Sequence, residues 1–443
     1  MIPEPPQHSL PIPATSTPPS ASAEHVQKPG PPPLLSATDL DSLRSFLADQ
    51  MRACLHRPDG LLKYAFLTPT ASVKPGSDDL GEVAMRSTTG SYNQMYDWDA
   101  CFLAQAAARH NIFDVRLDIV KGFLALHQAS GYVPRTISVH RVWDNGDMCK
   151  PFLCQTLLAQ PAIDPQLIAP IIPALRNYLS YYIAFRRHAS QLFCWRNVLE
   201  SGVDNNLALL DPQHAAKGTN QSTAKFDEQD ILAVDLNCYL VKEFEAFARL
   251  ASSCNCENLS GQFQDMSEIL AANVEKTFWR DELGMYANIH VFDQHPVLIR
   301  SWTGLLPVLL KICSEQRARQ VIESTILEPK HFFRPSGIAS TAASEHLYNN
   351  APRGLYGRVV VCNWQGPTWI LPNVLTVRAL KHYGYHRQAR ELSQRVLGTI
   401  LGGIRSVFSM TENYDSETGT PLWAKHFVSW NSLALELVDV LQS

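Results

Sequence analysis

Two acidic islands hold the side chains best equipped for chemistry. In Trp195-Arg196-Asn197-Val198-Leu199-Glu200-Ser201-Gly202-Val203-Asp204-Asn205, two carboxylates stand four residues apart across a glycine and beside a tryptophan. Far along the chain, Thr411-Glu412-Asn413-Tyr414-Asp415 sets a second acidic pair among aromatic and amide side chains. Separated carboxyls of this kind can split a glycosidic bond: one protonates the leaving oxygen while the other activates water or attacks the sugar. The proton donor must stay protonated near neutral pH, which needs an apolar or crowded setting. Val198, Leu199, Val203 and the Trp195 indole can supply it, and Gly202 allows a tight turn between the acids. Spacing alone equally allows Glu200 and Asp204 to cap and brace a helix. Glu412 is the candidate base, and Asp415 orders the turn before Thr418-Gly419.

Three further islands have the composition of a polar binding site. In Tyr92-Asn93-Gln94-Met95-Tyr96-Asp97-Trp98-Asp99, Asp97 reads as a helix cap, Asp99 as a sugar ligand and the Trp98 indole as a stacking face. A long loop runs from Gly131 through Arg135 and Trp143-Asp144-Asn145-Gly146-Asp147 to Lys150 and Gln155; its Asn-Gly step is a turn signal. Arg135 or Arg141 could clamp an anionic group, although a solvated loop arginine is the plainer reading of either alone. Asn363-Trp364-Gln365-Gly366-Pro367-Thr368-Trp369 precedes an apolar helix. Gly-Pro explains the helix start but not the paired tryptophans. All nine tryptophans follow residue 97, and most, including Trp430, have polar neighbours.

The elements that must position these islands are helices. Apolar residues recur at helical spacing near 38–56, 97–110, 114–128, 151–160, 165–187, 228–252, 260–278, 302–311, 314–326, 366–383, 386–402 and 429–441. Strand-like pieces are short, as in Arg358–Cys362 and Met285–Ile289. The chain is therefore expected to be all-α, and a closed double ring of six inner and six outer helices accommodates the count.

Of 443 residues, 45% are hydrophobic and 18% charged, enough to bury a large core. A net charge of -4 gives no electrostatic footprint for nucleic acid, and no apolar run has the length of a membrane span. Eleven of the 29 prolines fall within the first 33 residues, so residues 1–35 read as a disordered arm before one domain over 36–443, with Ser36 or Thr38 capping its first helix. Cys101, Cys154 and Cys238 sit in apolar stretches, and Cys254/Cys256 lack a second ligand pair at metal spacing, so neither disulfides nor metal are expected. With no basic start and apolar h-region, the expected location is cytoplasmic. There is no phosphate-cradling glycine loop, nucleophile elbow or paired-histidine zinc helix.

Taken in order, Tyr96-Asp-Trp-Asp99, Trp195 through Asn205, Val234-Asp-Leu-Asn237, Asn363 through Trp369 and Glu412-Asn-Tyr-Asp415 resemble the catalytic domain of glycoside hydrolase family 63, among the six-hairpin glycosidases that include trehalases. The resemblance implies an (α/α)6 barrel and inverting hydrolysis of α-linked sugars, with Asp204 as general acid and Glu412 as general base, and no metal or organic cofactor. Tyr92, Tyr96, Trp98, Asp99, Arg135, Gln155 and Trp195 would shape the sugar subsite. Glu200, Gly202, Asn205, Trp364, Gly366, Trp369 and Trp430 would complete it. The compact members that hydrolyse mannosylglycerate or glucosylglycerate are the nearest in size. Gln365, Val203 and Arg135 stand where arginine, methionine and histidine are usual. The alternatives are a trehalase or oligosaccharide α-glucosidase, a catalytically silent sugar-binding protein of the same fold, and a sugar isomerase, which would need histidines that the islands lack.

Overall fold

The computed structural model describes residues 30–75, 92–142, 146–210, 230–351 and 362–443, with the backbone of 354–355 and 358–359. Most of the proline-rich arm, Trp143–Asn145 and part of the Arg358–Cys362 piece lie outside the described residues.

Among the described residues, helical segments alternate between an outer and an inner layer. The outer ones bury a single stripe. Helix α1 (Ala37–Arg52) buries Leu40, Leu43, Leu47 and Met51. It starts at Ser36, whose hydroxyl accepts from the Asp39 N–H while Asp39 accepts from the Ser36 N–H. The inner helix α2 (Asp97–Arg109) is buried on nearly every side because small residues (Ala100, Ala104, Ala106, Ala107, Ala108) let neighbours approach. Outer α3 (Arg116–Leu124), inner α4 (Leu153–Leu158) and outer α5 (Ile172–Phe185) follow. Next come a short helix α6 (Val198–Ser201), inner α7 (Val234–Ser253) and outer α8 (Glu257–Thr277). The two long helices α7 and α8 pack as a hairpin, and α8 presents Phe263, Ser267, Leu270 and Val274 to the core. Inner α9 (Leu306–Leu309), outer α10 (Glu315–Val321), inner α11 (Ile370–His382), outer α12 (His386–Val407) and inner α13 (Ala434–Gln442) complete the ring. Arg44 of α1 reaches Asp439 of α13 at 2.7 Å and so seals it. One hydrophobic cluster runs from Leu40 to Val440.

Where helices differ from the sequence reading, backbone chemistry explains it. The 165–187 segment breaks because Pro170 and Pro173 lack amide protons, so a 3-10 turn (Ala169–Ile171) precedes α5. The 366–383 segment starts at Ile370, since Thr368 pairs in extended form with Tyr414. Helix α6 and Leu207–Leu210 are too short for a periodic pattern to reveal.

Two small antiparallel ribbons matter for the site. Strand β1 (Met95–Tyr96) pairs with β2 (Thr136–Ile137) directly before α2. Strand β3 (Thr411–Tyr414) pairs with β4 (Pro421–Lys425), and the register shifts between Thr411 and Asn413, so Glu412 stands at the irregularity. Such bulges re-aim a side chain. All ten cysteines are free.

Candidate active site

The inner helices begin at one end of the barrel, and the acidic and aromatic islands meet there. The register shift in β3 directs Glu412 inward, where it is 2% exposed. The Tyr92 hydroxyl donates to both of its oxygens at 3.1 Å, and the Cys362 thiol lies 3.5 Å from Oε1. Burial pushes the Glu412 carboxyl up to about 8; the Tyr92 and Cys362 hydrogen bonds oppose this and the Asp204 charge adds to it.

Asp204 follows α6 on the loop that Gly202 turns. Gly202 has φ +75°, and a Cβ there would meet Lys150 Cε and Trp98 Cζ2 at 2.8 Å, so the loop lies flat on the Trp98 indole. Asp204 is partly exposed. Desolvation raises its carboxyl, while the Arg135 and Lys150 charges and a hydrogen bond with the Cys362 thiol pull it down. Tyr92 and Cys362 each feel the charge of both Asp204 and Glu412. The Cys362 thiol thus meets both carboxyls, at a slot rimmed by the partly exposed Tyr92, Tyr96, Arg135, Asp204 and Cys362.

Asp99, on the first turn of α2, accepts from Ser429 Oγ at 2.6 Å, and burial raises it to about 7. Asp97 accepts from the Trp98 N–H at 2.8 Å and pairs with Lys150 Nζ at 3.1 Å, a buried ion pair beneath the slot. Arg135 donates to the Leu199 carbonyl, and its buried Nε has no partner among the described residues. Arg141 lies on the same loop, its carbonyl accepting from the Ser138 N–H at 2.9 Å.

Several residues expected to touch sugar serve the scaffold instead. Glu200 is fully buried; its carboxylate accepts from Arg186 at 2.6 Å, from the Met148 N–H at 2.8 Å and from the Arg196 N–H at 2.6 Å. It is the brace, because no acceptor site remains directed at a ligand. Asn205 accepts from the Trp364 N–H at 2.6 Å and donates to Asn363 Oδ1 at 3.0 Å, stitching the Asp204 loop to the tryptophan loop. Gln155 donates to the Pro151 carbonyl at 2.7 Å, and its N–H meets Glu243. Gly366 is glycine because a Cβ would meet the Asn349 carbonyl oxygen at 2.6 Å. Trp195 donates to Asp235 Oδ1 at 2.9 Å.

Five other tryptophans form a buried floor. Trp364 and Trp369 stack 3.7 Å apart at 4°, and Trp302, Trp98 and Trp430 pack around Trp364. Tyr92 and Phe427 extend the cluster towards Glu412. The Trp364 side chain lies within hydrogen-bonding reach of the Cys362 thiol, and the Trp430 indole N–H is buried without a partner among the described residues. Lys150 and Cys362 were not singled out from sequence. A lysine among apolar neighbours, Met148-Cys149-Lys150-Pro151-Phe152, is the one available signal for the first, and nothing local marks the second.

This geometry can be set beside known proteins. The family description for the mannosylglycerate hydrolase MGH1-like glycoside hydrolase domain matches residues 92–430, most of the chain and every island above. The chain belongs to this family. It is thus an MGH1-like glycoside hydrolase. A periplasmic trehalase of Escherichia coli O8 (strain IAI1) is 23% identical over 226 residues, 51% of this chain and 36% of the trehalase. The chain spans roughly a third of the length of the curated relatives that it matches, 36% and 31% for two of them. Among solved structures, the GH63 mannosylglycerate hydrolase of Thermus thermophilus in complex with glucose superposes with a TM-score of 0.65 at 17% identity, covering 89% of this chain and 99% of that one. The same enzyme with Tris and D-glycerate gives 0.63 at 16% identity. Neutral trehalase Nth1 of Saccharomyces cerevisiae gives 0.53 at 14% identity, covering 90% and 80%. These likenesses bear out the all-α double ring of this MGH1-like hydrolase.

Proposed function

We propose that this MGH1-like hydrolase cleaves a small α-glycoside with inversion, Asp204 protonating the leaving oxygen and Glu412 activating the attacking water. The observation that carries this reading is the meeting of both carboxyls at the Cys362 thiol, with the Tyr92 hydroxyl astride both Glu412 oxygens. A phenol donating to both oxygens favours the ionised, proton-accepting form. Desolvation favours the proton on both carboxyls; the Tyr92 and Cys362 hydrogen bonds oppose it at Glu412, and the Arg135 and Lys150 charges oppose it at Asp204. Asp99 can accept from sugar hydroxyls above the buried tryptophan floor.

The preferred substrates are mannosylglycerate and glucosylglycerate. Arg135 supports the choice: its unpartnered Nε beside Asp204 suits a carboxylate on the leaving side. The Thermus relative with bound D-glycerate supports it independently. Trehalose is the second reading, favoured by the sequence relation to periplasmic trehalases. Ten free cysteines support a reducing, cytoplasmic location. The test is incubation with mannosylglycerate, glucosylglycerate, trehalose and short α-glucans, with proton magnetic resonance of the first-formed sugar. A β-anomer from a glycosylglycerate is expected. An α-anomer rejects inversion, and sugar binding without release of monosaccharide rejects the enzymatic reading.

A further inference from the structure

Away from the carboxyl pair, one exposed turn gathers three metal-competent side chains. Ile289–His290 pairs with Ile231–Leu232, and the chain then reverses through Val291-Phe292-Asp293-Gln294 to His295. The His290 N–H donates to the His295 carbonyl at 2.9 Å, and the Gln294 N–H donates to the His290 carbonyl at 3.1 Å. Gln294 has φ +60°, and its amide donates to the Val291 carbonyl at 2.7 Å, closing the turn. The His290 and His295 rings consequently lie face to face, 4.8 Å between centroids and 16° apart. Asp293 Oδ1 is 2.6 Å from His295 Nδ1. One ligand atom from each of the three residues lies within 4.8 Å of the other two.

We propose that His290, Asp293 and His295 form a binding site for a divalent transition ion of the zinc class, separate from the catalytic slot. Two imidazoles and one carboxylate suit Zn2+, Ni2+, Co2+ or Cu2+ and ill suit Mg2+ or Ca2+, which require oxygen-rich cages. Ligand atoms around a tetrahedral ion bonded at ~2.1 Å stand ~3.4 Å apart, so the three groups must close by roughly an ångström. Asp293 is exposed and both histidines partly so, and side-chain rotation on an open turn supplies that closure. Water takes the fourth position.

The turn is tied to the catalytic end of the barrel. Asn288, two residues before His290, donates to the Ala208 carbonyl at 2.9 Å and accepts from the Val234 N–H at 2.8 Å. A bound ion would therefore pin the hairpin against the segment after Asp204 and the start of α7. Calorimetric titration of the full chain with ZnCl2 tests this, followed by CoCl2 with visible absorption, under reducing conditions. One equivalent is expected to bind, with nitrogen/oxygen-type rather than thiolate-type cobalt spectra. Affinity should fall at least about tenfold in His290→Ala or His295→Ala and by a comparable factor in Asp293→Asn, while circular dichroism and glycosidase activity stay unchanged. Undiminished binding in the His290→Ala/His295→Ala double variant would place the ion at the cysteines and overturn the proposal. So would wild-type protein that shows no saturable uptake, or equal uptake of MgCl2.

Discussion

Glu200 and Asp204 stand four residues apart on one loop, and their surroundings differ completely. Glu200 is enclosed by a guanidinium and two backbone N–H groups. Asp204 sits at the slot with a thiol and two nearby cations, and its carboxyl is raised by desolvation. An acid whose acceptor sites are all filled holds its neighbours in place, whereas an acid with fewer donors is left facing the slot. The number of donors supplied by the fold separates the two roles, and residue type does not.

The largest test of this contrast is the rate. Asp204→Asn and Glu412→Gln are each expected to lower kcat by about 10²–10⁴ with the fold intact, the range for loss of one general acid or base. Steady-state kinetics with near-wild-type circular dichroism would show it; a loss under tenfold in either would remove that residue from the chemistry. Glu200→Gln should act the other way. Leaving Arg186, itself 4% exposed, without its counter-charge is expected to cost about 3–5 kcal/mol of stability, read from the urea midpoint. If Asp204→Asn destabilises as much as Glu200→Gln, the contrast collapses.

Acidity sharpens the comparison next. The Glu412 carboxyl, at about 8 against an ordinary 4.5, must ionise before it can accept a proton from water. The acid limb of kcat/KM should therefore lie near pH 8, as a macroscopic property of the Glu412–Asp204 pair; a limb at pH 4–5 contradicts the crowding. Folding is linked with a definite sign. The folded pKa lies above the unfolded one, so Glu412 stabilises the fold fully below pH 4.5, and this is lost as pH rises to about 8. Glu412→Gln should thus gain stability relative to wild type above pH 8, and thermal melts across that window would show it. The smallest expected effect belongs to Tyr92→Phe, which removes the donor to both Glu412 oxygens. Activity should fall roughly tenfold, and the acid limb should move to higher pH, for loss of one hydrogen bond to a charged group worth about 1.5–3 kcal/mol.

Much of this molecule is legible in its sequence because helical periodicity is local. The alternation of outer α8, with one apolar stripe, and inner α2, buried all round, is written in Phe263-Ser267-Leu270-Val274 and in the alanines after Asp97. The islands that converge on the slot were legible as residue types out of place in a plain core. Roles within them were not, because they depend on partners distant in sequence. Arg186 decides what Glu200 does, the Trp364 N–H decides what Asn205 does, and Glu243 with Pro151 draws Gln155 into the scaffold. The tryptophans read as open stacking faces, yet Trp364 and Trp369 cover each other. Cys362 gains its place only because folding brings it to Glu412, fifty residues away.

The bond from Tyr92 to Glu412 joins positions 320 residues apart, and the Asn205–Trp364 stitch spans 159. No early portion of a nascent chain can therefore hold the assembled slot, since Glu412, Asp204 and their supports meet only once the ring has shut. The slot is in effect a reporter of ring closure, absent from any fragment that ends before residue 412.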